Sequence, residues 1–105
     1  MTDGLRIARA DRDGVAEIVL DGELDLASVA SLRSALDAAL AARVSRVVVD
    51  ASGLSYMDSS GINCLMSAAE QARRTGSRVV VRNPAGIVRT VLAITGVDRE
   101  LLEVR

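Results

Sequence analysis

Two triplets of valine, Val47-Val48-Val49 and Val79-Val80-Val81, restrict the fold of this chain more than any other feature. Each is a continuous β-branched run bounded by polar residues. A short strand that lacks polar–apolar alternation is covered on both faces, which is the habit of strands in parallel sheets flanked by helices. Between the triplets, Ser59 to Arg74 places Ile62, Leu65, Met66 and Ala69 on one face of a helix, with Gly76 as its stop. Strand, helix, strand in that order implies parallel neighbours joined by a right-handed crossover.

The remaining segments fit around this unit. Leu5 to Ala10 and Val15 to Leu20 read as strands joined through the turn residues Asp11-Arg12-Asp13-Gly14, a hairpin signal. Leu26 to Ala42 repeats Val29, Leu32, Leu36 and Leu40 at spacings of three and four, a helix that Asp25 or Ser28 can cap. Asn83-Pro84 opens a third helix with Ile87, Val88, Val91 and Leu92 inward and Gly96 at its end. Leu101 to Val104 is assigned as a last short strand. The expectation is one α/β domain over residues 1–105, a mixed, mostly parallel sheet of four to five strands packed with three helices. The loops leaving the strands at Asp21 to Asp25, Asp50 to Ser60 and Arg82 to Pro84 then share one edge of the sheet, where ligands and partners of open α/β sheets bind.

At 105 residues the chain buries roughly 65% of its unfolded surface in one core. Phe and Trp are absent and Tyr56 is the one aromatic, so Val, Leu, Ile and Ala fill that core. Thirteen basic residues face fourteen acidic ones, for a net charge of −1. A nucleic-acid binder shows a basic face and stacking aromatics, and this sequence has neither. There is no Lys and no His, which removes amine nucleophiles, imidazole bases and the commonest metal ligand. No cofactor or metal is expected. The single Cys64 has no internal partner and reads as a buried, inert thiol in a reducing compartment. The acidic and basic residues that begin at Asp3 do not suit a signal peptide, and no apolar run reaches the roughly 20 residues of a membrane span. A cytoplasmic protein is expected.

The segment richest in chemistry is Leu54-Ser55-Tyr56-Met57-Asp58-Ser59-Ser60-Gly61, at a strand-to-helix junction. Free N–H groups and the dipole at a helix start favour a negative group, so Asp58 or Ser59 is a natural cap. Capping alone accounts for both residues. The same N–H groups also tolerate a phosphate on Ser59, a change that reverses the local surface without unfolding the helix. A serine nucleophile is excluded for want of a base. Met57 suits a core position and a contact surface alike.

Two tracts resemble a known family. Gly22-Glu23-Leu24-Asp25 after the second strand and Met57-Asp58-Ser59-Ser60-Gly61 after the third are similar to the two marker segments of the STAS domain, and more narrowly of free-standing bacterial anti-sigma factor antagonists. The resemblance implies that Ser59 is phosphorylated by a serine kinase that is also the anti-sigma factor. It implies a partner-binding surface made of Asp25, Met57, Asp58, Ser59, Ser60 and Gly61. It implies a cycle in which the unphosphorylated chain binds the kinase and frees the sigma factor, phosphorylation breaks that complex, and a phosphatase acting on phospho-Ser59 restores it. ATP and magnesium belong to the kinase. A monomer that forms hetero-complexes is expected, without the last helix that many relatives carry. Asn63 and Cys64, early in the second helix, depart from the small apolar or glycine-containing stretch usual there, and Asn63 is expected to alter partner choice without affecting the switch. The competing reading is a STAS subunit of a stress-sensing scaffold or lipid-transport complex that is never phosphorylated.

Overall fold

Asp13 and Gly14 both take positive φ, 53° and 76°, and so form the two-residue turn whose twist matches a hairpin. That turn joins β1 (Leu5–Arg12) to β2 (Val15–Leu24) in antiparallel register, Arg12 opposite Val15 and Leu5 opposite Gly22. The computed structural model describes residues 4–94 and 103–105. Within them the sheet has the order β1-β2-β3-β4-β5, with β3 (Arg46–Met57), β4 (Val79–Arg82) and β5 (Glu103–Val104) each parallel to its predecessor. Helices α1 (Val29–Ala41), α2 (Ser59–Arg74) and α3 (Gly86–Ile94) supply the crossovers. The sheet is therefore mixed and mostly parallel, as the valine triplets require.

Val47 and Val49 of β3 and Val79 and Val81 of β4 are buried in one cluster with Ile18, Leu20 and Leu24 of β2. Leu32 and Leu36 of α1 and Leu65 of α2 close over them. The middle valines, Val48 and Val80, are buried as well, so both faces of the central strands are covered. Helices α1 and α2 pack on each other, and α3 lies against β3. Alternation along β2 sends Ala16, Ile18 and Leu20 into the core and leaves Val19 exposed. The neighbouring Glu17 reaches Arg82, which also contacts Asp50 at 3.3 Å. Partial burial disfavours the Asp50 carboxylate, yet hydrogen bonds from Ser52 and Arg82 outweigh it and hold Asp50 below the usual carboxylate range.

Several elements differ from the sequence reading. β2 continues to Leu24 and β3 to Met57, and the two pair to these last residues through two register shifts. Ser52, Gly53 and Ser55 have weak strand propensity, but β2 offers them a ladder and tertiary pairing overrides preference. Because β4 pairs with β3 only as far as Asp50, β3 overshoots it by seven residues, about 20 Å of extended chain. The Arg82 to Pro84 loop therefore leaves the sheet well short of the end of β3. Tyr56 lies within β3 and is exposed. α1 starts at Val29, after a turn over residues 25–28, and α3 starts at Gly86. Asn83 adopts φ 58°, so it bends the chain instead of capping a helix at Pro84. Ile87, assigned to the inner face of α3, is exposed, whereas Val88 and Leu92 are buried. The expected helix end at Gly96 and the first half of the Leu101 to Val104 strand lie outside the described residues. Among those described, no helix is long and apolar enough to cross a membrane.

Candidate functional site

The end of β3 and the start of α2 meet at Asp58. Its backbone is extended, with φ −112° and ψ −172°, and its Oδ1 accepts the Ser60 amide at 2.9 Å. Its carbonyl accepts the amides of Gly61 and Ile62 at 3.1 and 3.3 Å. Asp58 is thus the N-cap of α2, and of the two residues considered for that role Ser59 is the one left free. Ser59 is exposed as the first residue of the helix, and its hydroxyl makes no hydrogen bond among the described residues. Ser60 is half-buried.

Gly61 and Met57 have other tasks. A Cβ on Gly61 would come within 2.7 Å of Leu24 and 2.9 Å of Met57, so only glycine lets α2 approach the two strand ends this closely. Met57 was placed on the partner surface along with its neighbours. The structure instead buries it to 2% exposure, because two register shifts along β3 bring it into pairing with the buried Leu24. Met57 and Gly61 shape the site from below, whereas Asp58, Ser59 and Ser60 form its surface.

Asp25 comes to the same place through β2. Leu24 pairs with Met57, and the Asp58 amide donates to the Leu24 carbonyl at 3.2 Å, so the residues that follow each strand are adjacent. The Asp25 carboxylate accepts the amides of Ala27 and Ser28 at 3.0 and 3.1 Å. Ser28, 5% exposed, accepts the Asp25 amide at 3.0 Å and donates to the Glu23 carbonyl at 2.9 Å. Asp25 and Ser28 therefore lock the turn between β2 and α1. Ser28 has non-extended backbone and makes no side-chain cap bond to α1. The Asp-x-x-Ser spacing of Asp25 and Ser28 was the available signal of this reciprocal pairing. Gly22, within β2 and three residues before Asp25, has φ 117°, and a Cβ there would lie 2.0 Å from the Gly4 carbonyl oxygen. Glycine is obligatory at that position.

Cys64 is buried in α2, and burial pushes its thiol pKa up. A cavity of about 310 Å³ lies between the C-terminal ends of α1 and α2, lined in part by Leu40, Val44 and Gln71, away from Ser59. No group of His, Cys, Asp or Glu among the described residues is arranged to hold a metal ion.

The family model described as "Mlab, STAS domain" matches residues 7–103. An anti-sigma F factor antagonist of Lysinibacillus sphaericus is 31% identical over 87 residues, covering 82% of this chain and 74% of that protein. The anti-sigma-F factor antagonist RsfB of Mycobacterium tuberculosis is 27% identical over 97 residues, covering 92% and 79%. The crystal structure of an anti-sigma factor antagonist from Mycobacterium paratuberculosis superimposes with a TM-score of 0.79 at 26% identity, covering 95% of this chain and 84% of that one. With β2 and β3 delivering their two marker tracts to a shared edge, these matches show that the chain belongs to the STAS domain family, in the company of free-standing anti-sigma factor antagonists.

Proposed function

We infer that the protein is an anti-sigma factor antagonist whose activity is set by phosphorylation of Ser59. In this reading the unphosphorylated chain binds an anti-sigma factor that is also a serine kinase, and the sigma factor is released. Transfer of phosphate to Ser59 breaks the complex, and a phosphatase acting on phospho-Ser59 restores it. The chain is a cytoplasmic regulator in this cycle and performs no catalysis of its own. The observation that carries the reading is the division of labour at the start of α2. Asp58 supplies the cap, so the exposed Ser59 hydroxyl is available to a kinase without unwinding the helix. A helix N-terminus accommodates the phosphate that results.

Electrostatics make such a switch sufficient. A phosphoserine adds about −1.5 to −2 charges. The acceptor hydroxyl must dock beside the kinase's nucleotide phosphates, so after transfer like charges face each other. At roughly 6 Å and an effective dielectric near 20, one such pair costs about 3 kcal/mol. Two units approach 5 kcal/mol, or roughly three to four decades of affinity. Asp58 and Asp25 make the local field more negative still.

The test is incubation with ATP, magnesium and the anti-sigma kinases encoded alongside the protein, with the phosphate located by mass spectrometry. Modification at Ser59 is expected. No modification by any of these kinases, or phosphate on another serine, would sink the reading and favour a STAS subunit that is never phosphorylated.

A further inference from the structure

Carboxylates elsewhere on the described surface, such as Asp11, Asp21 and Glu70, each hold a guanidinium. Among the described residues, Glu23, Asp25 and Asp58 hold none, nor does Asp37 further along α1. Unpaired negative charge thus gathers at the edge that presents Ser59. In its midst Leu26 is 77% exposed. The turn displaying Leu26 is fastened on both sides by the Asp25 carboxylate and the buried Ser28 hydroxyl. A preorganised side chain loses little freedom when a partner covers it. Helices α1 and α2 pack together and start from strand ends joined by the Asp58 to Leu24 bond, so Leu26 and Ser59 meet a partner from the same direction.

We propose that Leu26 is the apolar anchor of the complex with the anti-sigma factor, entering a small apolar pocket that the partner borders with Arg or Lys. This inference rests on the function proposed above and specifies the surface that would recognise this chain. A central apolar anchor carries most of the affinity, while the charged border steers encounter and fixes orientation.

The experiment measures binding of the unphosphorylated full chain to the anti-sigma factor by surface plasmon resonance. It compares wild type with Leu26→Ala, Leu26→Met and Ile94→Ala. Ile94 is a matched control, also 77% exposed but at the end of α3. Leu26→Ala is expected to weaken binding about ten- to a hundredfold, chiefly through faster dissociation. Leu26→Met should restore most of that loss, and Ile94→Ala should bind as wild type does. Raising salt from about 0.05 to about 0.5 M should slow association. Wild-type affinity in Leu26→Ala overturns the anchor and leaves the proposed function standing. Failure of Leu26→Met to restore binding assigns the effect to the turn and also overturns it. Association indifferent to salt overturns the basic border. A wild-type chain that binds no anti-sigma factor overturns the proposed function and the anchor together.

Discussion

Asp58 and Ser59 are adjacent, yet their side chains have different work. The Asp58 carboxylate satisfies a helix amide, and the Ser59 hydroxyl satisfies nothing within the described structure. Asp58→Ala should therefore lower unfolding free energy by about 1 kcal/mol, the usual value of an N-cap, in urea titrations. Ser59→Ala should stay within about 0.5 kcal/mol of wild type, as surface changes do. A reversal of the two would show that the cap has been assigned to the wrong residue. In binding, Ser59→Asp introduces one charge and should weaken the kinase complex by about one to two decades, with Ser59→Ala unaffected. This surface was largely readable from residue types, because a capping acid before a serine at a strand-to-helix junction has a mechanism. The role of Met57 was not. A thioether fits core and contact alike, and only the register shifts of β3, which seat Met57 beside Leu24, decide which face it takes.

At the scale of elements, the contact most sensitive to change is the one beneath the site. Gly61→Ala places a methyl against Leu24 and Met57 and should destabilise by about 1–3 kcal/mol, the range for overpacking, in chemical denaturation. An unaltered midpoint would show that α2 can shift freely over the strand ends. A stabilising change is expected at the other end of α1. Arg43 follows that helix with φ 58°, a conformation that suits glycine, so Arg43→Gly should add up to about 1 kcal/mol. α2 was legible to both of its ends because its apolar spacing, its cap and Gly76 agree. The extension of β3 was hidden because Ser52-Gly53-Leu54-Ser55 carries turn chemistry, and its strand state depends on β2, which is remote in sequence. Leu26 was hidden for a different reason. It lies three residues before Val29 and continues the helical stripe, so spacing assigns it to a buried face that the turn over residues 25–28 never forms.

The charges of the whole molecule give it a predictable response to acid. Asp50 has its pKa held below the ordinary value, so it stabilises the fold when ionised. That contribution is fully present above the unfolded value near 4 and is lost as pH falls through the lower folded value. Asp50→Asn should accordingly flatten the acid limb of stability against pH below about 4, measured by thermal melts in matched buffers, and leave the slope near neutrality unchanged. The α/β class, the parallel centre and the hairpin were all foreseeable at this scale, since each follows from local runs that agree with one another. What escaped was how far the strands reach past one another.

That overreach separates two responsibilities. The valine body, where five strands stand side by side, sets how much heat the protein withstands. The promontory beyond Asp50, where only β1, β2 and β3 continue, carries the edge on which the proposed function depends. If the proposed function holds, exchanges at the exposed Leu26, Tyr56 and Asn63 are expected to change partner choice while the melting temperature stays almost still, since none of the three belongs to the core.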